Sequence, residues 1–264
     1  MALSNLTIPY ISKAHVHQKV AVLNRATLYG IQNHSNDTML DGSAFNQVIQ
    51  VSGHSSAKSD KVSQALVIGN GESRHNLDLV SLKIHNILIG CNAIHRDVTV
   101  DHLICCDRRM VEEAVKNPDT ANTEIYVRED WFKYYRKIQK LKNIKQVPAL
   151  PYQGEAKRDH PEHWGSGGYA VLVAAELEFE DITLVGFDLY SKNNKVNNIY
   201  KGTNNYAAPD SHSVDHNYWV YQISKVFQLY PSIRFTILNE LDWVLPREWQ
   251  LPNVQFRNIE QLVC

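Results

Sequence analysis

The chain has 264 residues, 44% of them hydrophobic and 21% charged, the make-up of a globular protein with one large domain, or one domain plus an appendage. A net charge of −1 leaves no basic footprint for nucleic acid or an anionic membrane surface, and no apolar run approaches the roughly 18 residues of a membrane helix. The four cysteines (Cys91, Cys105, Cys106, Cys264) lack CxxC spacing, and the three in or beside apolar strand-like runs read as reduced core residues, not as a zinc site or disulfide frame. With no basic-then-apolar leader at the N-terminus, the expected location is a reducing compartment, the cytoplasm.

Residues 1–62 are rich in Ser, Asn, His and Thr with scattered apolar positions, and read as an N-terminal extension or small docking module. From residue 63 onward short apolar runs alternate with helical patterns. Strands are predicted over 65–68, 86–90, 102–106, 124–127, 144–148, 181–186 and 234–238. Helices are predicted over 110–116, 131–141, 168–179 and 214–229. This alternation predicts an α/β fold, Rossmann-like, with a mainly parallel sheet covered by helices on both faces. In such sheets ligands bind beyond the carboxyl ends of the strands, which puts Gly69-Asn70-Gly71, Asn92, Asp107 and Asp188 on one rim.

Two glycine turns stand at predicted strand-to-helix or loop-to-helix junctions. Gly69-Asn70-Gly71-Glu72-Ser73 ends the first strand, and Gly165-Ser166-Gly167-Gly168 opens the most apolar helix. Glycines let backbone approach an anion, and a helix N-terminus offers free N–H groups and a positive dipole end. The same glycines also serve plain chain turning, and Ser166 also suits a helix N-cap. Residues 191–211 form a long polar stretch with Tyr200 and Tyr206, expected to be a lid or binding loop. It runs into Ser211-His212-Ser213, where His212 has a near-neutral proton affinity suited to a general base. His212 and His216 share helical spacing but lack an adjacent Glu, and there is no Walker-type phosphate loop, so neither metal nor cofactor is expected.

Together these motifs resemble the bacterial sialyltransferases of glycosyltransferase family 42, and a broader group of α/β domains that includes a pterin diphosphokinase. The matching pieces, in order over about residues 64–240, begin with Gly69-Asn70-Gly71-Glu72-Ser73 and Cys91-Asn92. Ser166-Gly167, then Ile182 through Gly186-Phe187-Asp188-Leu189-Tyr190, then His212-Ser213 complete them. The resemblance implies inverting, metal-independent transfer from a CMP-linked sugar donor to a glycan or other hydroxyl acceptor. Gly69, Asn70, Gly71, Ser73, Asn92, Asp107, Ser166, Gly167 and Asp188 would bind substrate. Tyr190 and Tyr200 would donate to the departing phosphate and His212 would take the acceptor proton. The chain departs from the family pattern at Glu72 (usually Pro), Asp107 (usually Asn) and His163 (near an expected Arg). A diphosphokinase-like nucleotide enzyme and a non-catalytic docking module on the same fold are the alternatives. A protein partner through residues 1–62 and a homo-oligomer are both compatible with the sequence; a nucleic-acid partner is not expected.

Overall fold

A computed structural model describes residues 64–262 apart from 156 and 192; the expected extension over 1–62 lies outside the described residues. Apart from Pro151–Gln153, which group separately, the described residues belong to one compact unit. Its centre is one sheet of eight strands, every neighbouring pair parallel, in the order β5-β4-β3-β2-β1-β6-β7-β8. The strands are β1 (Gln64–Ile68), β2 (Ile87–Cys91), β3 (His102–Cys105), β4 (Glu124–Val127), β5 (Ile144–Gln146), β6 (Asp181–Val185), β7 (Arg234–Asn239) and β8 (Val254–Asn258).

Strand burial follows from position in that order. β1 is central, paired through Ala65 to Ile87 on one side and to Ile182 on the other, and its last four residues are buried. A strand buried on both faces has no polar side to show, so it reads as an unbroken apolar run, as Ala65–Leu66–Val67–Ile68 does. On one face Leu66, Ile68, Leu88, Leu103 and Cys105 cluster with Met110, Val111 and Ala114 of α2 (Arg108–Lys116), after the short α1 (Leu79–Lys83). The alternate residues Ala65, Val67, Ile89 and Ile104 point to the other face, where α4 packs on β1, β2 and β3.

Helix α4 (Ser166–Glu176) follows the single turn α3 (Glu129–Phe132). Every residue from Gly168 to Ala175 is buried, because α5 (Asn217–Leu229) covers the side that the sheet leaves open. A helix enclosed all round is apolar all round, which explains its lack of an amphipathic stripe.

Three sequence expectations need correction. The helix expected over 131–141 is the α3 turn continued by a π-helical turn, Lys133–Ile138, with Gln139 N donating to Tyr134 O. The wider turn buries Tyr135 while Tyr134 stays exposed, and Lys140 at φ +61° ends it. The helix expected from 214 starts at Asn217, since Asp215 Oδ1 accepts from Asn217 N and turns the chain first. His212 therefore shares no helix with His216. The edge strand β8 was not predicted: its residues are mostly half-buried, so the apolar alternation that marks a strand is faint. Among the described residues no helix is long and apolar enough to cross a membrane.

Candidate functional site

The sheet order reverses between β1 and β6. From β1 the chain winds outward to β5, then returns to the other side of β1 as β6, so a crevice opens where the two strand ends part. Here the two strand exits cross closely. Gly69 N donates to Val185 O and Gly71 N to Gly186 O, both at 2.8 Å, carrying the ladder past the strands. A Cβ on Gly69 would lie 2.9 Å from the Gly186 carbonyl carbon, and Gly186 itself sits at φ +69°. Only glycine satisfies both positions without moving backbone.

Asp188 fixes the loop from below. Its Oδ2 accepts from Ser73 N at 2.9 Å and its Oδ1 from Ser73 Oγ at 2.5 Å, and a Cβ on Gly71 would lie 2.7 Å from that Oδ2 and closer still to Oδ1 and Cγ. Asp188 and Ser73, both expected to bind substrate, thus spend these groups on each other and hold the turn in shape.

The N-terminus of α4 closes the other side. Gly165 is its N-cap and has no side chain to satisfy the first N–H groups, which a helix leaves without internal partners. The Ser166 hydroxyl does not cap the helix; it donates to Asn92 Oδ1 at 2.8 Å and accepts from Cys106 N at 3.0 Å. One hydroxyl thereby ties the exits of β2 and β3 to the helix start. Asn92 is held at φ +53°, a left-handed conformation costing on the order of 1 kcal/mol that the surrounding bonds over-determine. Arg128, at the exit of β4, donates to Cys106 O through Nε (2.9 Å) and Nη2 (2.6 Å) and to Glu162 O through Nη1 (3.0 Å). Trp164, 1% exposed, has an indole N–H without a hydrogen-bond partner among the described residues.

These groups enclose a cavity of about 360 Å3. Of the residues singled out in the sequence, Gly69, Asn70, Gly71, Asn92, Asp107, Ser166, Gly167 and Asp188 line it. Ser73 and Tyr190 line a second cavity of about 510 Å3, which meets the first along Asp188 and Asn197. Tyr200 lines neither. It is 5% exposed, and its hydroxyl donates to Asp97 Oδ2 (2.6 Å) and accepts from Arg74 Nη2 (2.8 Å). His212 also lines neither; it is exposed and paired with Lys195 in an isolated antiparallel bridge. The imidazole that lines the first cavity is His163, with Nδ1 against the Lys157 carbonyl oxygen. A carbonyl oxygen only accepts, so Nδ1 is the donor in this contact and Nε2 is the nitrogen it leaves unused.

The long polar stretch docks on the glycine loop. Ile199 N donates to Asn70 O at 2.9 Å, Asn197 Oδ1 accepts from Glu72 N at 2.9 Å, and Lys201 pairs with Glu72. Asn70 Nδ2 donates to Tyr206 at 3.1 Å. Glu72 therefore has a local role as an anchor for this segment. Sequence reasoning missed Arg128, Trp164 and Trp219 in the cavity wall. Arg128 directly follows a strand, so the rim rule reaches it; nothing in the sequence brings Trp219 of α5 there. Among the described residues no group of three or more His, Cys, Asp or Glu is placed to hold a metal ion.

Burial raises the thiols beside the cavity. Cys91 and Cys106 are pushed up to about 12, the Arg74 charge and the Ser166 hydrogen bond offsetting only part of the desolvation, and Cys105 is also raised well above the ordinary value. Above about pH 9 the unfolded chain releases these protons and the folded chain keeps them. Stability is therefore expected to be insensitive to these thiols below about pH 9, and to fall between 9 and 12 by about 1.4 kcal/mol per pH unit for each. Urea unfolding at pH 8, 9.5 and 10.5 measures this, and a flat profile contradicts it. Comparison with protein-family models, curated proteins and solved structures finds no match for this chain.

Proposed function

We propose that this domain binds a nucleotide-activated sugar, CMP-linked by preference, and transfers the sugar without a metal to an acceptor hydroxyl. The observation that carries the reading is the uncapped N-terminus of α4, opening into a cavity at the switch point of the sheet. An anionic group of the donor, phosphate or carboxylate, would take the N–H groups of Ser166, Gly167 and Gly168. The Trp164 indole N–H supplies a further donor, and Arg128 the positive charge. Donors fixed in this way need no reorganisation when charge develops on the leaving group, which is the work a metal does elsewhere. Proton removal falls to an imidazole: His163 lines the cavity, whereas His212 would need the segment around it to move.

A second reading, a domain that binds the nucleotide without turnover, is favoured by the position of His212 outside both cavities. Calorimetric titration with CMP, UMP, GMP and ATP, first in EDTA and then with magnesium, tests the proposal. CMP binding that survives EDTA is expected. Binding of ATP only with magnesium favours the diphosphokinase-like alternative, and no binding by any nucleotide contradicts the proposal. Release of CMP from a CMP-linked sugar then separates the two readings, with His163→Ala and His212→Ala identifying the proton acceptor.

A further inference from the structure

We infer that the second cavity, over the ends of β6 and β7, holds the nucleoside half of the donor, its ring stacked on Trp243 and hydrogen-bonded by the Asn239 amide. The inference rests on the reading above, since it divides one donor between two adjoining cavities. The first cavity, about 360 Å3, is near the lower limit of small-molecule sites, and the second adds about 510 Å3 across the Asp188 and Asn197 walls.

Asn239 points to a ligand. It ends β7 and is 2% exposed. Its Oδ1 accepts from Glu240 N at 2.8 Å, while its Nδ2 is buried with no hydrogen-bond partner among the described residues. Buried polar groups are normally satisfied, so an unpartnered donor on a residue that lines the cavity marks a place for an acceptor atom, such as a ring carbonyl or ribose oxygen.

Trp243 supplies the flat surface. Its Nε1 donates to the Asp188 carbonyl at 2.7 Å, and its ring packs on Phe256 (centroids 5.6 Å apart) and on Tyr190 (6.2 Å). The indole is thus fixed in orientation while still half-exposed on the cavity. Every nucleobase has a π-face, and stacking on such a platform is worth about tenfold to a hundredfold in affinity. Charge argues against a phosphate here. Four carboxylates, Glu72, Asp188, Glu240 and Asp242, line this cavity against two cations, Lys195 and Lys201, and Lys201 is paired with Glu72. The first cavity also carries carboxylates, Asp107, Glu162 and the shared Asp188, with Arg128 4.0 Å from Asp107; it is the uncapped N–H groups of α4 that assign the anion there, and the neutral ring falls to Asn239 and Trp243.

The test is calorimetric titration of CMP, cytidine and inorganic phosphate into the wild type, Asn239→Asp, Trp243→Ala and Trp243→Phe, each confirmed as folded by circular dichroism. Asn239→Asp keeps the shape and the bond from Glu240 N but removes the open donor. CMP and cytidine affinity should fall about tenfold or more in Asn239→Asp and Trp243→Ala, recover largely in Trp243→Phe, and leave phosphate affinity unchanged. CMP binding equal in the wild type and the folded variants overturns this inference alone. A parallel loss of phosphate affinity also overturns it, since the two halves would then share one site. Failure of the wild type to bind any nucleotide overturns the donor reading and this inference with it.

Discussion

Replacing Gly69 with alanine is expected to cost about 3 kcal/mol, the upper part of the range for forcing atoms into a packed interior, and to lower the melting temperature by on the order of 10 °C. The new Cβ would press on backbone: the carbonyl carbon of Gly186 lies 2.9 Å from it, and the Gly186 oxygen is closer still. A flexible side chain gives way cheaply; a carbonyl held by the ladder between β1 and β6 does not. Gly71 N donates to that same Gly186 oxygen, so relief by moving the carbonyl breaks this bond. The shape of the loop goes with it, and nucleotide affinity should be lost even in molecules that fold. Thermal unfolding and titration of the same preparation check both effects. A melting temperature within about 2 °C of wild type contradicts the crossing of the two strand exits.

Arg74→Met should be comparably damaging for a different reason. Arg74 is 2% exposed, and its Nε donates to Gly69 O at 2.7 Å. Its two terminal nitrogens reach Asp97 Oδ2 at 3.2 and 3.1 Å, and one of them reaches the Tyr200 hydroxyl at 2.8 Å. One guanidinium thus binds the glycine loop, the turn after β2 and the docked polar segment. Methionine fills much of the volume but leaves Gly69 O and the buried Tyr200 hydroxyl short of a donor. Breaking a buried pair costs about 3–5 kcal/mol, and with Asp97 partly in water the lower end, about 3 kcal/mol, is expected. Hydrogen exchange supplies the specific readout: amides of Ile199 and Glu72, both bonded across this junction, should exchange faster than those of α4. Uniform acceleration across the domain would contradict a local role. Arg74→Lys keeps the charge but cannot span three acceptors, so it should fall between the two.

The sequence carried the α/β architecture because a parallel sheet buried on both faces writes itself as short unbroken apolar runs. β1 and α4 were legible for this reason, while the half-buried edge strand β8 and the π-helical turn after Phe132 were not. The rim rule placed Gly69, Asn92, Asp107 and Asp188 together because strand exits in a parallel sheet all lie at one edge, and they line one cavity. What the sequence could not give was what each group is spent on. Ser166 reads as a cap or a ligand contact, yet it bonds Asn92 and Cys106. Tyr200 stands in a stretch that reads as a lid, and the resemblance implies a hydrogen bond from it to phosphate, yet its hydroxyl bonds Arg74, 126 residues away in the chain. Long-range pairings of this kind leave no local periodicity to detect.

A crystal structure of the protein grown with CMP in EDTA tests the two-cavity donor site most directly. CMP should span the two cavities, its phosphate on the first-cavity side toward Ser166 and Gly167, its base on Trp243, with no metal at the phosphate. CMP bound elsewhere on the surface, or both cavities empty at a concentration that saturates the titration, would contradict it.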